Sequence, residues 1–332
     1  MYQIIQKRNI YLFLSGALVA ASMIALLLWG FNYGIDFTGG TLLEVRFKDG
    51  RPAVNDVRQA IEGLEPGNLI LQPIGESSLI LRFQDTSEDK HQAVLEKLRE
   101  LTGSGKEEGT EKAGEEGVDV SVGEDGTVLT TPAESAPEAF EELRYDAIGP
   151  AIGRELKNKS ITAIIIVLIM IVLYIAWAFR KVSRPVASWK YGLAATFALF
   201  HDVIITMGVF AVLGRFYGVE INTPFVAAIL TVLGYSINDT IVVFDRIREN
   251  LPKSEEDFEN TVNVSVNQTI TRSISTSLTT LLALSSILIF GGASIRDFVL
   301  ALCIGIFIGT YSSIFVASPI LVIWEKMTAR NA

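Results

Sequence analysis

Cysteine and histidine are scarce in this 332-residue sequence, with one cysteine and two histidines. The lone Cys303 lies within an apolar run, so it cannot form an intrachain disulfide and is expected to be a small buried hydrophobe. There is no nucleophile–base pair, no cluster of metal ligands and no GxxxxGK[ST] phosphate loop, since Gly39 and Gly40 form only a glycine pair. The sequence therefore gives no support to a covalent enzyme mechanism or to a bound cofactor.

Positive charge is also in short supply, because 28 Lys and Arg face 37 Asp and Glu and the net charge is −9. Much of the acidic excess lies between Gly103 and Leu143, which holds twelve Asp or Glu and two Lys. A basic face for nucleic acid is absent, so we expect no nucleic acid partner. The acidic, glycine-rich insert at about 103–136 is predicted to be a flexible loop.

Long apolar runs, in contrast, are abundant in a chain that is 49% hydrophobic. A run of about 20 apolar residues can cross a hydrocarbon core of about 30 Å. The first run competes with a signal peptide, but it is long for an h-region and no clear small-x-small cleavage site follows, so we expect an uncleaved span. Six such runs are present, at about 10–31, 161–179, 189–213, 221–244, 270–290 and 298–324.

These runs predict an α-helical polytopic membrane protein with six transmembrane helices and an α+β extracytoplasmic domain between the first two. The predicted parts are a cytoplasmic N-terminus with the first span (1–31), the external domain (32–160), the helical bundle (161–325) and a cytoplasmic tail (326–332). Orientation follows from Lys and Arg in short loops, which stay preferentially in the cytoplasm. The basic side holds Lys7, Arg8, Arg180, Lys181, Arg184, Lys190, Arg246, Arg248, Lys253, Lys326 and Arg330, against Arg215 and Arg296 on the other. Both termini are therefore expected inside.

Alternating and helical patterns give the elements of the external domain. Residues 41–47 and 79–83 alternate like strands, and 54–64 and 91–101 are predicted to be helices. A hairpin is predicted at 118–130, with its turn at 123–126. His91 is predicted to be a solvated helix residue without a functional role.

Ionisable residues inside the apolar runs are the candidates for function, because each costs about 2.5–3.5 kcal/mol on insertion scales. Asp202 lies in the third run, Asp239 with Asn238 in the fourth, and Arg272 at the start of the fifth. Helical spacing puts two polar sets on one face each: Thr231, Tyr235, Asn238 and Asp239, and Arg272, Ser275, Thr276 and Thr279.

Asp239 and Arg272 can share a depth in the membrane, so a carboxylate–guanidinium pair is predicted. One hypothesis is that Asp239 takes up and releases a proton, with Arg272 responding and Asn238 and Asp202 serving the same path or orienting neighbours. A salt bridge that only fixes helix register is the equal alternative. Separately, Gly305 with Gly309 and Gly16 with Ala20 form small-xxx-small steps that predict close helix packing.

Several motifs resemble the SecD/SecF family of protein-export membrane proteins. The segment 34–41 (GIDFTGGT), with Asp36, Gly39 and Gly40, resembles the family signature that follows the first span. Further matches are 148–156 (IGPAIGREL), His201-Asp202, 232–248 (VLGYSINDTIVVFDRIR) and 267–278 (NQTITRSISTSL). The acidic insert at 103–136 departs from the pattern.

The resemblance implies half of an RND-like unit that pairs with SecD and works with the SecYEG translocon, with YajC and YidC as further partners. It implies a protein of the bacterial inner membrane, in contact with lipids, that uses the proton gradient to assist a translocating preprotein. Asp239 and Arg272 match the family's proton-path pattern, with Asp202 less closely. Two alternatives remain open: a proton-coupled RND-type exporter of small molecules or lipids, and a scaffold whose buried charges only fix assembly.

Overall fold

A computed structural model describes residues 2–103, 118–122, 128–132, 139–178 and 188–330. The helices are α1 (Arg8–Trp29), α2 (Ile35–Thr38), α3 (Val54–Glu62), α4 (Glu88–Leu101), α5 (Pro150–Ala178), α6 (Ser188–Tyr217), α7 (Thr223–Asn250), α8 (Phe258–Phe290), α9 (Ala293–Ser312) and α10 (Ser318–Arg330). The strands are β1 (Gly40–Phe47), β2 (Ile70–Ile74), β3 (Ser78–Phe83), β4 (Val118–Val122), β5 (Val128–Pro132) and β6 (Phe140–Ile148). These elements form two compact units, Met1–Phe37 with Glu155–Ala332, and Thr38–Arg154.

The larger unit is a bundle of helices long and apolar enough to cross a membrane. Six such stretches occur in the described residues, which confirms the predicted polytopic fold: α1, α5, α6, α7 with the turn after it, α8, and α9 continuing into α10. A π-helical segment, Ser313–Ala317, joins α9 to α10. The helix α5 begins at Pro150, well before the predicted span start at 161, because the helix continues through polar residues that hydropathy does not count.

The N-terminal segment before α1 is fixed to α8 through two asparagines. The Asn263 Oδ1 atom accepts from the backbone N–H groups of Ile4 and Ile5 at 3.0 and 3.1 Å, and Asn267 Oδ1 accepts from that of Tyr2 at 2.7 Å. Ile4 and Ile5 are buried in the bundle core. The same helix, α8, therefore carries both this anchor and Arg272.

The smaller unit is an antiparallel sheet in the order β2-β3-β1-β6 with α3 and α4. Strands β1 and β3 and helices α3 and α4 confirm the predicted elements, whereas β2 and β6 were not predicted. Alternate residues of β1 and β3 build its core, including Leu43, Val45, Leu79 and Leu81. The predicted hairpin is present as the pair β4 and β5. Its predicted turn at 123–126 and most of the 103–136 insert lie outside the described residues.

Both signature glycines are required by the backbone at the start of β1. Gly39 and Gly40 have φ values of +76° and +121°, which side-chain-bearing residues rarely adopt. A Cβ atom would lie 2.7 Å from Pro150 Cα at Gly39 and 2.7 Å from the Phe83 carbonyl oxygen at Gly40. Any larger residue at either position would force the β1 start away from its neighbours.

His91 is buried, so its prediction as a solvated residue is wrong. Its ring stacks on Tyr145 of β6 with centroids 3.8 Å apart, and its nitrogens lie 3.1 Å from Glu88 and 3.3 Å from Glu142. Burial, with the Glu88 and Glu142 carboxylates nearby, raises the pKa of Tyr145. The histidine therefore ties α4 to the edge strand β6.

Candidate functional site

Asp202 is completely buried where α6, α7 and α9 meet. Its Oδ2 atom accepts hydrogen bonds from Ser236 of α7 at 2.6 Å and from Ser312 of α9 at 2.8 Å. Its Oδ1 atom lies 2.9 Å from Nδ1 of His201. A carboxylate with three partners, two of them on other helices, is well suited to hold those helices together.

His201 extends this junction towards α1. Its ring stacks on Tyr311 of α9 with centroids 6.4 Å apart, and the Tyr311 hydroxyl donates to the Tyr11 carbonyl oxygen at 3.1 Å. The His201 Nε2 atom is buried and has no hydrogen-bond partner within the described part of the chain. A neutral imidazole that holds its proton on Nδ1 and donates it to Asp202 leaves Nε2 as the unpaired acceptor.

Another hydroxyl contact between α7 and the end of α9 lies one helical turn beyond Ser236. The Thr240 and Ser313 hydroxyl oxygens are 2.8 Å apart, and Ser313 begins the π-helical segment. Ser313 also donates to the Gly309 carbonyl oxygen at 2.9 Å. In a membrane such hydroxyls stabilise helix contacts because no water competes for them.

Glycines let α9 approach α7 closely enough for these bonds. A Cβ atom on Gly309 would lie 2.8 Å from Cβ of Ser236, and one on Gly305 would collide with Val232. The predicted close packing at Gly305 and Gly309 is thus confirmed. At Gly16, an added Cβ atom would meet nothing within 4 Å in the described part of the chain.

Substituting Gly309→Ala is expected to destabilise the bundle by about 1–3 kcal/mol, the usual cost of overpacking. The added methyl pushes α9 from α7 and weakens the Ser236 and Ser312 bonds to Asp202. Gly16→Ala is the matched control, and it should leave stability equal or slightly higher because alanine favours helix. SDS denaturation in mixed micelles measures both variants, and equal midpoints contradict the expectation.

Asp239 lies on α7 beside the buried hydroxyl face of α8. It is 6% exposed, and Ser273 and Ser277 of α8 are 0% and 3% exposed. Arg272, Ser273 and Ser277 are the groups of α8 whose charge or dipole acts on the Asp239 carboxylate. Asp239 Oδ2 and Ser273 Oγ are buried without a hydrogen-bond partner among the described residues. The Asp239 Oδ2 atom can therefore still accept a hydrogen bond or a proton.

The predicted contact between Asp239 and Arg272 needs correction. No ion pair within 4.0 Å joins these two residues, both of which the structure describes, and the Arg272 side chain is exposed in this chain. The buried face of α8 is formed instead by Ser273 and Ser277, one residue further along the helix. Asn238 is exposed next to Asp239. The Asp239 carboxylate and the Arg272 guanidinium therefore interact only by longer-range electrostatics, without a direct contact.

Arg272 borders a polar cavity of about 310 Å³ between α7 and α8. Acidic, basic and amide side chains line this cavity, and they mark where water can approach the Arg272 guanidinium. The lining residues are Val242, Asp245, Arg246, Glu249, Gln268, Thr269 and Arg272.

The signature acid Asp36 caps the start of α7. Its Oδ2 atom accepts from the backbone N–H of Thr223 at 2.7 Å, while Asn222 caps the same helix through Phe225. The segment around Asp36 is held by a bond from Gly34 N–H to the Ile221 carbonyl oxygen at 2.8 Å. A negative charge here also complements the positive end of the helix. The signature thus positions the helix that carries Asp239.

In the described residues, no group of three or more His, Cys, Asp or Glu side chains is arranged to hold a metal ion. The site consists of carboxylates, one guanidinium, one imidazole and hydroxyls. Such a set can bind, hold or pass protons, and it can lock or release helices as its charge changes.

Comparison with known proteins gives the family. The family model described as "Protein export membrane protein SecD/SecF, C-terminal" matches residues 128–327, more than half of the chain. This chain belongs to the SecD/SecF family. The "SecD/SecF GG Motif" model matches residues 29–50, which include Asp36, Gly39 and Gly40.

Relatives within the SecD/SecF family match over almost the full length. The chain is 42% identical to "Protein translocase subunit SecF" of Thermobaculum terrenum, over 98% of this chain and 95% of that protein. It is 34% identical to the protein of the same name from Sebaldella termitidis, over 98% of this chain and 92% of that one. The alignment therefore includes both compact units.

Solved SecDF structures share the fold but are much longer. SecDF from Thermus thermophilus, described as a translocon-associated membrane protein, matches with TM-score 0.73 and 31% identity over 98% of this chain. SecDF in a super-membrane-facing form matches with TM-score 0.60 and 32% identity, also over 98% of this chain. This chain spans only 39% and 38% of those two chains.

Proposed function

We propose that this chain is the SecF-type subunit of a SecDF accessory complex and uses the proton gradient to assist preprotein movement across the bacterial inner membrane. Membership of the SecD/SecF family and relatives named as SecF translocase subunits support this role. The solved SecDF chains are more than twice as long, which suggests a SecD-type protein as the other half. SecYEG, YajC, YidC and the preprotein are the further proposed partners.

The proposal that this chain has a partner protein within the membrane rests on the polar surface beside Asp239. Arg272 and Asn238 are exposed in this chain although they lie on spans. Ser275, Thr276 and Thr279 extend the same exposed face of α8. Polar side chains exposed to lipid in a span are costly, and neighbouring protein or water removes that cost. The cavity can supply water to Arg272, but Asn238, Ser275, Thr276 and Thr279 do not line it. We therefore propose that this polar face, formed by Asn238, Arg272, Ser275, Thr276 and Thr279, contacts SecD.

Proton coupling is proposed to run through Asp239. This carboxylate is nearly enclosed, has an oxygen without a partner, and lies in the field of Arg272. Protonation removes its charge and changes its interaction with the guanidinium. One charge moving across 100 mV provides about 2.3 kcal/mol, enough to shift a helix equilibrium. Asp202 is proposed to orient α7 and α9 rather than to titrate, because both of its oxygens are hydrogen-bonded and two of its three partners lie on those helices.

The proposed arrangement in the membrane follows the distribution of basic residues. Both termini lie on the cytoplasmic side, and the unit Thr38–Arg154 lies outside. In that orientation the cavity at Arg272 opens towards the cytoplasm, because it is lined by the C-terminal part of α7 and the N-terminal part of α8.

A tryptophan substitution on the polar face tests the SecD contact. Thr276→Trp places a large ring on this face and is expected to reduce co-purification with SecD at least several-fold, whereas the unchanged chain retains SecD and SecYEG. Ile274→Trp is the matched control, since Ile274 is also exposed on α8 but points about 200° away around the helix. Unchanged SecD recovery with Thr276→Trp, or closed assemblies of this chain alone, would favour the exporter alternative.

A further inference from the structure

An apolar groove runs along the outer surface of the bundle between α6 and α10. Its volume is about 390 Å³, and Phe197 forms one wall. The other wall is one face of α10, with Ile320, Ile323, Trp324 and Met327 at helical spacing. Phe197 and Met327 are 62% and 60% exposed, so no described part of this chain fills the groove.

A lysine that has no acidic partner among the described residues lies at one end of the groove. The Lys190 ammonium is 5.9 Å from the Trp189 ring and 6.0 Å from the Trp324 ring, which lines the groove. It donates a hydrogen bond to the Thr328 hydroxyl at 2.5 Å. Within the described ranges no carboxylate lies within 4.0 Å of Lys190, Glu325 of α10 included. A largely buried ammonium is stabilised when an anion comes next to it.

The groove and the Lys190 ammonium are positioned so that one amphipathic molecule could contact both, with its apolar tail in the groove and its polar head at the lysine. Phe197 follows Lys190 by two helical turns, which places it about 10 Å deeper along α6. The helix α10 runs antiparallel, with Trp324 packed against Trp189 at a centroid distance of 5.3 Å and Ile320 one turn further along. Paired indoles beside a lysine are typical of the membrane–water interface. The groove therefore extends from the interface into the hydrocarbon region.

We propose that this groove binds an anionic phospholipid of the surrounding membrane. One acyl chain lies against Phe197, Ile320 and Ile323, and the phosphate lies against Lys190. The Thr328 hydroxyl accepts from the ammonium and donates its own proton to the Trp324 carbonyl oxygen at 2.8 Å, so the remaining protons of the Lys190 ammonium are the donors for a phosphate oxygen. The lipid would bridge α6 and α10 at the end of the bundle that carries both chain termini. This inference requires the chain to span a membrane but is independent of its role in export.

Quenching by brominated lipids tests the proposal on the full-length protein. A Trp29→Phe, Trp177→Phe background leaves Trp189 and Trp324 as the reporters. The protein is reconstituted in phosphatidylcholine vesicles containing increasing dibromo-phosphatidylglycerol or dibromo-phosphatidylcholine. We expect half-maximal quenching at about fivefold less brominated phosphatidylglycerol, the factor for one basic residue facing an anionic lipid.

Charge variants distinguish a specific site from general attraction. Lys190→Gln is expected to abolish the preference and Lys190→Arg to retain it, which separates loss of charge from loss of fold. Lys7→Gln, the same charge change at the same end of the bundle, should leave the preference intact. Equal quenching by the two lipids in the parent protein, or a preference that persists in Lys190→Gln, overturns the proposal. So does reversal of the quenching by inorganic phosphate, which indicates a site for free anions.

Discussion

Asp239→Asn is expected to reduce gradient-driven export to the level seen without a proton gradient. Asparagine keeps the shape of the side chain but cannot release a proton. Asp239 is nearly buried and its Oδ2 atom lacks a partner, so the substitution removes no observed hydrogen bond at that atom. The protein should therefore still insert and assemble. Export into inverted vesicles, compared with and without a gradient, measures the effect.

The size of this effect follows from the energy that the relay could supply. One proton crossing 100 mV corresponds to about 2.3 kcal/mol, or roughly fiftyfold in an equilibrium. A matched control is Asp257→Asn, because Asp257 caps α8 through the Asn260 N–H and asparagine caps equally well. Export by Asp239→Asn that still responds fully to the gradient would contradict the relay. It would leave the scaffold interpretation, in which buried charge only fixes assembly.

Span positions could be predicted from the sequence because apolar length is a local property. Which face of each helix is buried in the bundle could not be predicted from the sequence. Periodicity correctly grouped Arg272, Ser275, Thr276 and Thr279 on one face, but that face is exposed in this chain. The face that meets Asp239 is offset by one residue and carries Ser273 and Ser277. Only the packing of neighbouring helices decides between two polar faces of one span.

The sequence did contain the signal for His91. Positions 91, 94, 95 and 98 follow the i, i+3, i+4, i+7 pattern, so His91 shares the face of Val94, Leu95 and Leu98, all of which are buried. Residue type favours solvent for a histidine, but the position of His91 in the pattern decides its burial. Its partner strand β6 was missed as well, because mixed charges along 140–148 obscure the alternation.

Long-range polar partners were beyond sequence reasoning. Asp36 meets Thr223, and Asp202 meets Ser312, across 187 and 110 residues. Serines 236 and 312 had no distinguishing pattern, since hydroxyl residues are common on these spans. Gly309 was the one usable clue, because a glycine predicts a close approach of helices, and Ser236 lies directly opposite.

Asp202→Ala is expected to destabilise the bundle by about 2 to 5 kcal/mol, counting about 0.6 to 1.7 kcal/mol for each of three hydrogen bonds within a membrane. The loss leaves Ser236, Ser312 and His201 without their shared acceptor. Ser236→Ala removes only one donor and should cost about a third as much. SDS denaturation of the purified full-length variants measures this graded series.

Asp202→Asn then separates an anchor from a proton carrier. The amide keeps one carbonyl oxygen but places an NH₂ group where an acceptor is needed, so at least one of the three partners loses its bond. If Asp202 is an anchor, the variant unfolds at lower SDS concentration, while each assembled molecule still exports in response to the gradient. If Asp202 carries protons, export per assembled molecule is lost even where stability is preserved. Because both oxygens of this carboxylate are already hydrogen-bonded, to His201 on its own helix and to Ser236 and Ser312 on α7 and α9, we expect the first result.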